Sequence, residues 1–77
     1  MEIKVVGTGC TACRKLEEMV RQVVEEQGIS ATIMKVENMM EIAKSGVLLT
    51  PGLIVDGKIV MSGKLPDKKE IERLLLS

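Results

Sequence analysis

The chain has 77 residues, 45% hydrophobic and 29% charged, the balance of one small globular domain spanning 1–77. It contains no Phe, Tyr or Trp, which removes the stacking platform that single-stranded nucleic acids need, and eleven basic against eleven acidic residues leave no net field for nucleic acid or an anionic membrane. The absence of His excludes Ser-His and Cys-His nucleophilic pairs, and no G-x-x-x-x-G-K-[ST] phosphate loop occurs.

A chain of this size buries only about 60–65% of its unfolded surface, so Ile, Leu, Val and six Met must fill a small core. No apolar run approaches the ~20 residues that span a bilayer. Met1-Glu2-Ile3-Lys4 lacks the features of a secretory leader, so a reducing cytosol is the expected compartment.

Residues 2–6 form an apolar run that predicts a first strand. Gly7-Thr8-Gly9-Cys10-Thr11-Ala12-Cys13 follows and holds both cysteines, three positions apart. It opens an amphipathic helix from about Thr11 to Gln27 with a buried stripe of Cys13, Leu16, Met19, Val20, Val23 and Val24. Arg14–Glu18, Glu17–Arg21 and Arg21–Glu25 are i,i+4 pairs on the other face, and only Glu17–Arg21 has the stronger orientation. Gly28 is the expected left-handed stop.

Residues 31–36 predict a second strand, reached by a right-handed parallel crossover. Asn38 with Glu41 caps a short helix over about 39–45, ended by Gly46. After Val47-Leu48-Leu49-Thr50-Pro51-Gly52, the β-forming runs 53–55 and 58–61 flank Asp56-Gly57, the signature of a two-residue type I′ hairpin. Gly63 breaks the chain, and Asp67 with Glu70 caps a last helix whose inner face is Ile71, Leu74 and Leu75. The predicted order is β-α-β-α-β-β-α, an α/β fold with a four-stranded mixed sheet and helices on both faces.

A C-x-x-C at a strand-to-helix junction points first to thiol–disulfide chemistry. The first helical turn presents unpaired N–H groups and roughly half a positive charge, which stabilise a thiolate. At most ~2 kcal/mol, or about 1.5 pKa units, would bring a thiol from near 8.5 towards ~7.

The element order, the C-x-x-C at the head of the first helix and Thr50-Pro51 before the hairpin resemble the thioredoxin fold. Within it, the chain is similar to the small archaeal and bacterial thioredoxin/glutaredoxin-like redox-active disulfide proteins. Their G-T-G-C-x-x-C and P-G-L-x-V-D-G patterns are matched by Gly7–Cys13 and Pro51–Gly57, and the resemblance covers essentially the whole chain. It implies a thiol–disulfide oxidoreductase that reduces or exchanges disulfides through a redox-active Cys10–Cys13 pair, with no cofactor and no metal. The implied partners are a disulfide-bearing protein or small molecule and an external reductase or thiol donor. A cytoplasmic monomer is expected. The resemblance also implies a cis Thr50–Pro51 bond beside the cysteines, with the Thr50 backbone free to pair with an extended substrate. The chain departs from better-known relatives in placing Thr11-Ala12 between the cysteines and Gly9 where thioredoxins have Trp. No acidic residue stands out behind Cys13 to take its proton.

Cys10, at the helix tip, is the expected attacking thiol, and Cys13, one turn in, the one that resolves the mixed disulfide. A purely structural staple is disfavoured, because so small a loop stabilises by only ~2 kcal/mol against over 4 for one spanning most of the chain. Arg14 and Lys15 either raise the local potential or are solvated charges, the commoner case. Thr8 is expected to cap the helix rather than to hydrogen-bond a sulfur. Met39 and Met40 read as core filling rather than as the lining of a substrate groove. Lys64, Lys68 and Lys69 are expected to face water.

Three other readings compete. Two thiolates can carry a soft ion such as Cu(I), as heavy-metal-associated domains do. Those domains usually place Met-Thr or Met-His before the first Cys, where this chain has Thr8-Gly9, and they lack the Thr-Pro, hairpin and final helix. Gly7–Ala12 also fits G-x-G-x-x-G/A, with Glu37 where a ribose-binding acid would sit. A two-half dinucleotide fold does not fit into 77 residues. A non-catalytic interaction module of the same shape is the third, disfavoured by two cysteines at a helix tip.

Overall fold

The computed structural model describes residues 1–76. Strand β1 (Glu2–Val6) leads into helix α1 (Thr11–Glu26), strand β2 (Thr32–Val36) and helix α2 (Met39–Ser45), then strands β3 (Gly52–Val55) and β4 (Lys58–Ser62) and helix α3 (Lys68–Leu76). The sheet order is β2-β1-β3-β4, with β1 and β2 parallel and the β1–β3 and β3–β4 pairs antiparallel. This is the mixed four-stranded α/β sheet that the sequence predicts.

Local chemistry sets the boundaries. Gln27 caps α1, and the N–H groups of Gly28 and Ile29 reach back to the carbonyls of Glu25 and Val24 at 3.3 and 3.0 Å. Gly28, at φ +63°, takes the left-handed turn that this closure requires. Asn38 Oδ1 accepts the N–H groups of Met40 and Glu41 and starts α2. Asp67 Oδ1 accepts Glu70 N–H at 2.8 Å, one residue before α3. In the hairpin, Asp56 and Gly57 both have positive φ, 49° and 82°, as the type I′ turn demands. The β3–β4 register shifts between Leu53 and Ile54, a bulge not visible in the sequence pattern.

Alternation along β1 builds a core on each face. Ile3 and Val5 pack with Leu16, Val20 and Val23 of α1, Ile71 and Leu75 of α3, and Leu53 and Met61 of the hairpin. Met19, Val24 and Leu74, expected in the buried stripes, are half-buried against this cluster. Val6 points the other way, to a smaller cluster with Val36, Ile42, Val47 and Ile54 under α2. No helix among the described residues is long and apolar enough to cross a membrane.

Candidate active site

Because β1 and β2 are parallel and β3 runs back along β1, both strand ends and the entry to β3 meet at one edge of the sheet. Helix α1 begins at that edge. Cys10 is its N-cap, with extended backbone at φ −68° and ψ 168°, and its sulfur accepts the Cys13 N–H at 3.2 Å. The first turn of α1 contains no acidic residue, so nothing there offsets the positive end of the helix. Cys10 is exposed, whereas Cys13 is only 5% exposed. The two sulfurs form a disulfide, with Cα atoms 5.0 Å apart.

Gly7 is what lets Cys13 lie so deep. A Cβ on Gly7 would fall onto Cys13 Sγ, 3.0 Å from Cys13 Cβ and 4.0 Å from Pro51 Cα. The sulfur, the end of β1 and the proline therefore meet at one point. Gly7 N–H donates to the Val36 carbonyl at 2.9 Å, tying that point to the end of β2.

The Thr50–Pro51 bond is cis. Pro51 is buried, and its carbonyl accepts Gly63 N–H at 2.9 Å. The Ser62 hydroxyl donates to the Leu49 carbonyl at 3.0 Å and accepts Leu49 N–H at 3.4 Å. The intervening Thr50 is exposed, and its backbone N–H and C=O make no hydrogen bond among the described residues. The four residues singled out from the sequence, Cys10, Cys13, Thr50 and Pro51, are thus at one edge, with Pro51 and Cys13 meeting at Gly7.

A cleft of about 100 Å³ opens beside Cys13, walled by Gly7 and Gly9 and ringed by Arg14, Glu17, Lys35 and Glu37. Glu17 holds two cations, Arg21 at 3.0 Å and Lys35 at 3.2 Å. Burial alone would push its carboxyl up, but the hydrogen bonds and charges of Lys35 and Arg21 outweigh that and hold it below its ordinary 4.5. A larger groove of about 390 Å³, lined by Lys4, Met34, Glu41 and Lys44 among others, contains neither cysteine.

Four expectations need correction. Thr8 is exposed and does not cap α1; Gly9, at φ +88°, carries the chain past it, and the Cys10 sulfur takes the capping role. Met39 and Met40 are not core residues: they are 72% and 70% exposed, because α2 is only seven residues long and buries Ile42 alone. Lys68 does not simply face water but pairs with Glu26 at 2.6 Å, bracing α3 against α1, whereas Lys64 and Lys69 are exposed. Of the three helical charge pairs, the well-oriented Glu17–Arg21 pair forms, and its acid is shared with Lys35 rather than with a neighbour on α1.

Sequence reasoning passed over Gly7, Ser62 and the Lys35–Glu17 pair. Gly7 stood inside a matched pattern without a stated role. Lys35 carries no signal, because its pairing with Glu17 is a contact between separate elements.

The comparisons with known proteins agree with this geometry. The family model described as Thioredoxin domain matches residues 1–76. A protein named Thioredoxin from Methanothermobacter thermautotrophicus is 40% identical over 75 residues, covering 97% of each chain. Another Thioredoxin, from Methanocaldococcus jannaschii, is 45% identical over 75 residues, 97% of this chain and 86% of that one. A Probable Thioredoxin from Archaeoglobus fulgidus is 32% identical over 69 residues, 86% of this chain and 75% of that one. The metal-carrier reading finds no support in these relatives, and among the described residues no three His, Cys, Asp or Glu are grouped to hold an ion.

Proposed function

This chain belongs to the thioredoxin family, and from that premise we propose that it is a disulfide reductase working through Cys10 and Cys13. The observation that carries the reading is the inequality of the two sulfurs. One is exposed at a helix N-terminus with an N–H aimed at it, and the other is buried one turn further in, against Gly7 and beside Pro51. The exposed position suits the sulfur that meets the substrate, because a thiolate there is stabilised and reachable.

Cys10 thiolate attacks one sulfur of the substrate disulfide, forming a mixed disulfide and expelling the other sulfur as a thiolate. Cys13 then attacks the Cys10 sulfur, which closes the Cys10–Cys13 bond and releases the second substrate thiolate. Two electrons from an external reductase or thiol donor restore the dithiol. The unbonded N–H and C=O of Thr50 offer an extended substrate segment backbone pairing beside the reacting sulfurs. The working compartment is the cytosol, where a donor keeps such a pair cycling.

Cys10→Ser abolishes turnover of an insulin-type disulfide substrate, and Cys13→Ser accumulates a covalent mixed disulfide visible by mass spectrometry. Turnover at the parent rate in both variants would overturn the reading.

A further inference from the structure

We propose that Ser62 is a positioning residue for substrate binding: its hydroxyl holds both backbone groups of Leu49, so that the N–H and C=O of Thr50 stay fixed and open to an extended peptide. The inference rests on the two-cysteine reading above, with Thr50 as the residue that pairs with substrate, and it names the group that keeps Thr50 ready.

The segment before β3 is tied to the end of β4 by contacts that fall beside Thr50 and not on it. Gly52 and Ser62 stand opposite each other in the β3–β4 ladder, which brings residues 49–51 alongside 62 and 63. On one side of Thr50, the Pro51 carbonyl accepts Gly63 N–H at 2.9 Å. On the other, the Ser62 hydroxyl donates to the Leu49 carbonyl at 3.0 Å and accepts Leu49 N–H at 3.4 Å. The Leu49 side chain lies over Gly63, where a Cβ would stand 2.9 Å from Leu49 Cβ and 3.1 Å from its Cδ1. Pro51 has no N–H, so the free backbone groups of residues 49–51 are those of Thr50 alone, among the described residues.

The residue type fits the task. Leu49 presents a donor and an acceptor, and a hydroxyl answers both because it can donate and accept at once. A carboxylate would take only the N–H, and an ammonium only the C=O. A segment already held in place gives up little freedom when a peptide pairs with it. Without the hydroxyl, Leu49 and Thr50 must be ordered during binding, and the released groups of Leu49 compete with those of Thr50 for the peptide backbone. The consequence is selective. A peptide disulfide engages both the sulfurs and the Thr50 backbone, whereas a disulfide with no peptide backbone engages the sulfurs alone.

The test reacts the reduced protein with a short peptide dimer joined by a disulfide and, in parallel, with the aromatic disulfide DTNB. Oxidised protein is followed by acid quench and mass spectrometry in the first case and by colour in the second. Ser62→Ala lowers the second-order rate constant for the peptide about 5-fold, the typical worth of one hydrogen bond. The loss lies in a higher half-saturating peptide concentration and not in the limiting rate, as expected when uniform binding is removed. The DTNB rate is the reference for the sulfur chemistry and does not follow the peptide rate down. Ser62→Thr, which keeps a hydroxyl, recovers most of the loss. A peptide methylated on the backbone nitrogens flanking its cysteine cannot donate to Thr50, and parent and Ser62→Ala reduce it at similar rates. Equal slowing towards peptide and DTNB, or parent-like reduction of the unmethylated peptide by Ser62→Ala, would overturn the proposal while leaving the two-cysteine mechanism intact. A parent protein that reduces neither disulfide would instead refute that mechanism.

Discussion

Replacing Gly7 with Ala adds a methyl group where the Cys13 sulfur stands. The new carbon overlaps Cys13 Sγ, lies 3.0 Å from Cys13 Cβ and has Pro51 Cα behind it at 4.0 Å. In the disulfide form no flexible side-chain end is available to yield, because the Cys13 sulfur is bonded to Cys10. Cys13 is fixed in α1 and 5% exposed, and β1 is held at this point by the Gly7–Val36 hydrogen bond. Overpacking of this kind costs about 1–3 kcal/mol, and ~2 kcal/mol lowers the midpoint of a domain this size by roughly 8–16 °C. The penalty falls more heavily on the disulfide form, where the Cys13 sulfur is pinned towards Cys10, than on the dithiol, where its side chain is freer to rotate away.

Two measurements follow, thermal melts of both redox forms by circular dichroism and equilibration of the cysteine pair against glutathione. Gly7→Ala melts lower, most of all when oxidised, and its pair becomes more oxidising. Gly28→Ala is the control. Its φ of +63° makes Ala cost about 1–2 kcal/mol, but its Cβ points into open space, so the sulfur equilibrium does not move. If the two variants shift melting and redox equilibrium alike, the steric account of Gly7 is wrong.

Leu16→Ala, at a fully enclosed position, loses about 2–5 kcal/mol, a large share of the roughly 4–12 kcal/mol expected for 77 residues. Leu48→Ala, at a site 92% exposed, stays within about 0.5 kcal/mol, and urea midpoints separate the two cases. Glu17→Gln removes a carboxylate whose folded pKa is depressed, so the parent's advantage is complete above about pH 5 and disappears as pH falls through the folded value. With Arg21 and Lys35 each about half exposed, that advantage is at most ~1 kcal/mol and shrinks in salt, which paired urea titrations at neutral and acid pH resolve.

Where chemistry is local, the chain could be read directly. Asp56-Gly57 specifies its turn through backbone preference alone, and Asn38 and Asp67 start their helices with a side-chain oxygen. The spacing of Cys10 and Cys13 puts them one turn apart whatever surrounds them. Where the answer depends on what lies across a gap, the reading failed. Met39 and Met40 are apolar in a helical pattern, but only the short reach of α2 decides that they face out. Lys35 pairs with Glu17 across two separate elements, β2 and α1, a tertiary contact that no periodicity encodes. Thr8 satisfies the preference for a hydroxyl cap, but Gly9, at positive φ, carries the chain past it and Cys10 is the N-cap.

The same distinction applies to the sulfurs. A C-x-x-C at a helix tip makes both cysteines candidates for the first attack, since both lie within the first turn, where the helix end acts. Their difference is imposed from outside the helix, by a β1 terminus close enough to cover one of them. That approach is possible only because residue 7 has no side chain, and it leaves Cys10 as the sulfur an incoming disulfide can reach. Gly7, the residue that follows β1, is therefore as much a part of the site's geometry as the two cysteines.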